Sequence, residues 1–224
     1  MNAREMPSNL HLRYLVHAPD VEWINDVPPT SMQSVAAFLP GRFAGYLRIY
    51  HPLHPQRGEG ASGTRWSQLA QSAAVDLRDT RATETLRDAI RDDFFVERGT
   101  LSVQQVGALT EVLAINTTTN HTCYFGFWDG DAHDATPDGH GSLSFGLRQY
   151  HMFIGPIGCA LTSMQRDPTR IRSANLWWPQ DHAWCVASDV DLFWTYVGGS
   201  KACIDMLQVD ARLESVRLTG TETR

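Results

Sequence analysis

The sequence is nearly without lysine: of its 19 basic residues only Lys201 is a lysine, and the rest are arginine. Lysine codons are AT-rich and most arginine codons GC-rich, so the bias reflects a GC-rich genome rather than arginine-mediated recognition. A basic excess is missing as well. Against 25 acidic residues the formal charge is −6, and the arginines are scattered among acids, as in Arg87-Asp88 and Arg91-Asp92-Asp93. Nucleic-acid binders carry a basic excess or a basic stripe, so neither nucleic acid nor an anionic membrane is expected as a partner. No apolar run approaches the ~20 residues of a membrane span. Met1 to Asn9 is polar, and no apolar stretch of the ~7 residues that a secretory signal needs follows it.

The four cysteines (Cys123, Cys159, Cys185, Cys203) are widely spaced and never form Cys-x-x-Cys. Lying in apolar surroundings, they are expected as buried reduced thiols in the cytoplasm, not as disulfides or zinc ligands. Reaction signatures are absent too. There is no Gly-x-Ser-x-Gly elbow, no His-Glu-x-x-His and no phosphate-binding P-loop. Nothing calls for a cofactor.

What is present is an ordinary globular composition: 224 residues, 42% apolar and 20% charged. Surface scaling for 25.1 kDa gives roughly 10,000 Å² exposed when folded against about 36,000 Å² unfolded, enough burial for a self-sufficient core. No linker divides the chain, so residues 1–224 are expected to form one domain. Residues 1–30 read as irregular, punctuated by Pro7, Pro19, Pro28 and Pro29, and residues 219–224 as a polar tail.

Periodicity supplies the elements. Thr30 or Ser31 can cap a short helix holding Val35, Phe38 and Leu39. Phe43 to Tyr50 has strand composition, and His51 to Gly63 reads as a polar loop. Trp66, Leu69, Ala70 and Ala73 form one helical stripe behind Thr64, and a second helix is expected around Leu86, Ile90 and Phe94. A third follows Ser102, carrying Val103, Val106, Leu109 and Leu113. Strands follow from there: Cys123 to Trp128, Leu147 to Ile154, a hairpin of 176–178 with 183–188, and a strand on which Val190, Leu192, Trp194 and Tyr196 share a face. Gly198-Gly199 turns the chain into a last helix capped by Ser200. Helices in the N-terminal half and a largely antiparallel sheet in the C-terminal half predict the α+β class.

Four clusters carry possible chemistry. The loop 129–142 holds Asp129, Asp131, His133, Asp134, Asp138 and His140, groups that hard cations favour. Its sixth and twelfth positions, Asp134 and His140, do not fit a calcium loop, so no metal is assigned and a solvated hairpin loop is the simpler account. Gly198-Gly199-Ser200-Lys201 opens a helix, where an anion can sit; a plain capped turn explains the same residues. Asp189 and Asp191, separated by Val190, are expected on one side of a strand. Together with His182 they could act as acid and base, or they could be the charged face of an edge strand. Trp177 and Trp178, as strand neighbours, must point to opposite faces. Either the sheet is covered on both sides or one indole meets a partner.

The run Asn175-Leu-Trp-Trp-Pro-Gln-Asp-His-Ala-Trp-Cys-Val-Ala-Ser-Asp-Val-Asp, followed by Thr195-Tyr-Val-Gly-Gly-Ser, resembles the C-terminal signature of a family of uncharacterised proteins common in high-GC bacteria. Tyr46 to Pro52, Arg65-Trp66 and Cys123 to Trp128 fit the same pattern. The resemblance implies a bacterial, cytoplasmic protein and brings no activity, cofactor or catalytic residue. Phe38-Leu-Pro40 after a short helix, with the α+β layout, resembles the SMI1/KNR4-like immunity proteins more distantly. The expectation is thus a non-catalytic module, immunity-like or regulatory, that binds another protein. Its surface is expected at Trp177 or Trp178 with Asp181, Asp189 and Asp191 on the rim, or at the Gly198–Lys201 turn. The alternative is a hydrolase or transferase using Asp189, Asp191 and His182.

Overall fold

The computed structural model describes residues 12–15, 19, 21, 23–24, 35–56, 63–79, 81–130, 141–145, 148–162 and 172–218. In chain order they form β1 (Arg13–Tyr14), a 3-10 turn (Val35–Ala37), β2 (Gly45–Tyr50), β3 (His54–Pro55), α1 (Trp66–Ser72), α2 (Ala82–Thr85) and α3 (Arg87–Asp93). There follow β4 (Phe94–Phe95), α4 (Val103–Ile115), β5 (Cys123–Trp128), β6 (Ser142–Phe145), β7 (Arg148–Gly155) and a 3-10 turn (Ile157–Leu161). The last elements are β8 (Leu176–Pro179), β9 (Cys185–Ser188), β10 (Trp194–Gly199), α5 (Lys201–Gln208) and β11 (Ser215–Leu218).

Nine strands make one antiparallel sheet in the order β1-β7-β5-β8-β9-β10-β2-β11, with β6 on the same edge of β7 as β1. The strands β3 and β4 form a separate two-stranded ribbon. This topology corrects the expected fold class. The helices are few and short and are not gathered in the N-terminal half: the longest, α4, lies mid-chain and α5 follows β10. Nor is the sheet confined to the C-terminal half, because β2 is inserted between β10 and β11. Local periodicity identified β2 as a strand, but nothing local encodes that its partners lie some 150 residues away.

Pleating sorts the side chains into two cores. On the first face lie Tyr46, Tyr50, Trp178, Trp194 and Tyr196, covered by Trp23, Phe38, Leu39 and the α1–α3 region. On the second lie Leu47, Ile49, Phe125, Trp177 and Val197, covered by α4, α5 and the 157–161 turn. Both indoles of the Trp177-Trp178 pair are 0% exposed. The alternation therefore holds, and it is the doubly covered sheet that satisfies it. Trp177 stacks near Phe125 at 6.2 Å and meets Trp184 edge-on at 5.4 Å; Trp178 meets Trp23 edge-on at 5.7 Å.

The helix boundaries follow their caps. Ser102 Oγ accepts from Gln105 N–H at 3.3 Å and the Gln105 side chain accepts from Ser102 N–H at 3.2 Å, a reciprocal box. Gln105 is also buried, donating to the Tyr50 carbonyl at 2.7 Å, whereas Val103, expected in the apolar stripe, is 52% exposed. At α1 the cap is Arg65 rather than Thr64. There the Glu214 carboxylate, brought in from beside β11, accepts from the N–H groups of Trp66 and Ser67 at 2.9 and 2.8 Å. The helix expected through Phe94 breaks into α2 and α3, and Phe94 is already extended. Of the helix expected behind Thr30 or Ser31 only the 3-10 turn Val35–Ala37 falls among the described residues. None of the described helices is long and apolar enough to cross a membrane.

Candidate functional site

The strand expected from Val190 onward begins only at Trp194; residues 189–192 are a turn between β9 and β10. Leu192 N–H donates to the Asp189 carbonyl at 3.0 Å and Asp191 N–H to Asp189 Oδ1 at 2.9 Å. The two carboxylates do meet, but because the turn curls them together and not because a strand alternates. They converge on Arg148, at the start of β7. Its Nε and Nη2 bind Asp189 at 3.0 and 3.1 Å, and Nη2 reaches Asp191 at 2.6 Å. The hydrogen bonds it donates to Asp189 come first among the causes that push the Arg148 guanidinium above its ordinary range. Its guanidinium also lies 5.5 Å from the Trp128 ring centroid. Two acids fixed on a permanent cation make a clamp holding β7 to the β9–β10 turn, not an acid–base pair.

His182 is not brought to them. It sits in the β8–β9 turn at φ 54°, stacked on Trp23 with centroids 4.2 Å apart. The extended chain of β9 separates it from Asp189 by on the order of 15 Å, too far for a shared proton or water.

Asp181, in the same turn as His182, is saturated. Its oxygens accept from Thr117 Oγ1, from Thr118 N–H and Oγ1, and from Ala183 N–H, tying the turn to the loop after α4. Burial alone would raise its carboxyl, but these donors outweigh burial and hold it below its ordinary value. Trp177 and Trp178, in the two cores, present no surface to a partner.

The Gly198–Lys201 turn is equally committed. Gly198 and Gly199 end β10, and a Cβ on Gly198 would stand 2.4 Å from the Phe43 ring. The Ser200 hydroxyl accepts from Cys203 N–H at 3.1 Å, and Lys201 pairs with Asp205 at 2.8 Å. A plain capped turn accounts for all four residues. Most of the acidic loop, 131–140, lies outside the described residues. Among the described residues no three His, Cys, Asp or Glu side chains gather as metal ligands.

The cysteines are free and buried. Burial pushes the Cys123 and Cys203 thiols up to about 12 and raises Cys159 and Cys185 as well, so none is an activated nucleophile.

Two buried polar residues went unnoticed in the sequence. His51, read as part of a polar loop, is 0% exposed. Its Nδ1 faces the Glu97 carbonyl at 2.8 Å, which can only accept, so Nδ1 carries the proton. Nε2 then accepts from Thr195 Oγ1 at 2.9 Å, and Thr195 accepts from Ser188 at 2.6 Å. Burial lowers the imidazole to about 4. Arg48, 1% exposed, donates to the Leu77 carbonyl at 3.1 Å and lies 5.0 Å from the Trp194 ring centroid. No described carboxylate neutralises it.

A concave feature lies elsewhere among the described residues. A cleft of about 560 Å³ opens beside the 189–192 turn, between that turn and the α2–α3–β4 segment. Its apolar wall includes Ile90, Phe94, Val96, Leu192, Phe193 and Trp194, and Phe95 stands at its side 55% exposed. Arg87, Arg91 and Arg98 line it too, the last with its guanidinium 4.6 Å from the Phe193 ring centroid. Of the residues singled out from sequence, Asp191 alone reaches this cleft. The adjacent pair Phe94-Phe95 after Arg91-Asp92-Asp93, which in extended chain must point to opposite sides, was the available signal for it. Gly99 packs directly on the 189–192 turn: at φ 68° a Cβ would stand 2.5 Å from the Val190 backbone.

The class that the fold defines is thus a wide antiparallel sheet covered on both faces, with one apolar, arginine-rimmed cleft. No family model matches the chain, and no curated protein or solved structure is significantly similar to it.

Proposed function

We propose that this protein is a non-catalytic interaction module that binds another protein through the cleft beside the 189–192 turn. It would act by occupancy, as immunity and regulatory proteins do, in the bacterial cytoplasm. The observation that carries the reading is the cleft itself. Its volume suits a few side chains, its wall is aromatic, and the ring of Phe95 stands 55% exposed at its side. The surface first expected, at the Trp177-Trp178 pair, is replaced by this one because both indoles belong to the cores. The hydrolase or transferase alternative draws no support from the geometry, since His182 and the Asp189–Asp191 pair occupy opposite ends of β9.

Site-specific crosslinking tests the reading. A photoreactive phenylalanine at position 95 should trap one discrete partner in producing cells, whereas the same group at Ile115, exposed on α4, should not. The trapped protein, once purified, should bind the wild-type chain and bind Phe95→Ser at least tenfold more weakly. Equal trapping from both positions, or none from position 95, would remove the cleft from consideration.

A further inference from the structure

We infer that the occupant of the cleft is an acidic segment of the partner protein, with carboxylates flanking an apolar side chain. This rests on the reading of the cleft as a protein-binding surface and adds the chemistry of what enters it. The apolar half of the claim comes from the wall, where Phe94, Phe193 and Trp194 offer ring surface with little to satisfy a polar group.

The acidic half comes from the charges that remain once internal pairs are set aside. Arg87 is exposed and makes no ion pair with a described carboxylate; Arg98 makes none either and lies against the Phe193 ring. Arg91 contacts Asp88 and Asp92 at 3.2 Å, but all three side chains are two-thirds exposed or more, so these contacts hold it weakly. The two acids on the rim are not free: Asp191 is bound by Arg148 at 2.6 Å, and Glu84 is also engaged. Behind the wall stands a further cation. Arg48 is 1% exposed, its guanidinium donates to the Leu77 carbonyl and the Tyr50 hydroxyl, and it lies 5.0 Å from the ring centroid of Trp194, a wall residue. A guanidinium stays charged in a protein, and a buried charge without a counter-ion is screened little. Arg48, Arg87 and Arg98 therefore give the cleft a positive potential within a chain of net charge −6.

That overall negative charge does not repel an acidic segment at this site. At physiological salt the Debye length is about 8 Å, so the charges lining the cleft decide, three arginines (Arg87, Arg91 and Arg98) against Glu84 and Asp191, both of which are already engaged. A guanidinium held beside a ring can also donate both arms of its planar fork to a carboxylate. The cleft is too small, and the basic rim too short, for the extended phosphate tracking that nucleic acid requires.

The test is a phage-displayed random 12-residue peptide library selected on the immobilised full-length chain. Each enriched peptide is then measured against Phe95→Ser to define the cleft-dependent set, and thermal unfolding verifies that every variant is folded. Cleft-dependent peptides are expected to be net negative with at least one large apolar residue. Their affinity should drop about tenfold or more in the Arg87→Ser/Arg98→Ser double variant and be largely kept in Arg87→Lys/Arg98→Lys. Raising salt should weaken wild-type binding and leave the serine variant less affected. If the cleft-dependent peptides are neutral or basic, the acidic occupant is wrong while the cleft remains a binding surface. If no enriched peptide depends on Phe95, the binding reading fails together with this inference.

Discussion

The two faces of the sheet meet the same requirement, burial of a row of large side chains, by different means. On the second face two regular helices, each opened by a serine cap, lie over aliphatic and aromatic residues. Most of its buried polar groups are paired, in a chain running from Glu97 through His51 and Thr195 to Ser188, while the Trp177 indole N–H has no partner among the described residues. The first face is covered by short helices and turns, with Ala74 held at φ 54° between them. Among the described residues it carries a buried cation, Arg48, without a carboxylate, and three buried indole N–H groups without partners, on Trp23, Trp178 and Trp194. The cleft opens on that side. A regular layer seals a sheet; an irregular one leaves the gaps, exposed rings and unpaired charges from which binding is made.

The largest expected effects test whether both faces are cores at all. Trp177→Ala and Trp178→Ala should each cost about 3–5 kcal/mol, the usual loss for a fully buried large side chain, measured by urea unfolding. A loss under about 1 kcal/mol at either position would mean that its face is not closed.

The next test concerns the polar chain on the second face. His51 is held neutral with its folded value lowered to about 4, below the ordinary value of about 6.5 for the unfolded chain. Between these limits the unfolded state binds the extra proton, so stability is full above about pH 6.5 and declines as pH falls toward 4. The shift corresponds to a loss of about 3 kcal/mol. Unfolding by denaturant across this range should show the decline in the wild type and a flatter profile in His51→Gln.

A smaller effect is expected where Gly99 packs on the β9–β10 turn. Gly99→Ala should cost about 2 kcal/mol from the left-handed backbone and the contact with Val190, read as a shift in urea midpoint. The smallest belongs to the cleft. Phe95→Ser should change stability by no more than about 0.5 kcal/mol, because the ring is 55% exposed. A large loss there would make Phe95 a structural residue and the first face as closed as the second.

Much of the local structure was legible. The strands at Cys123–Trp128 and the 176–188 hairpin, and the helices behind Ser102 and Ser200, stand where period and caps put them. The opposed directions of Trp177 and Trp178 followed from pleating alone. The site was much less legible. Asp189 and Asp191 do come together, but the group they meet is Arg148, 41 residues earlier in the chain, and not His182, 7 residues from Asp189. Closeness in sequence misled because an extended strand carries neighbours apart faster than any other structure. Arg98, Phe193 and Phe95 line one cleft although no motif links them.

The sequence by itself determined what depends on a few consecutive residues. These are the serine caps of α4 and α5 and the opposed faces of Trp177 and Trp178, each governed by contacts within a turn or a pleat, and the acidic balance, which is composition alone. Tertiary structure alone decided the insertion of β2 between β10 and β11, the helices on both faces and the burial of Arg48 and His51. It also decided where an arginine rim meets an aromatic wall. Those features arise from pairings between segments far apart in the chain, whose free energy comes from burying surfaces that no local pattern can match to one another.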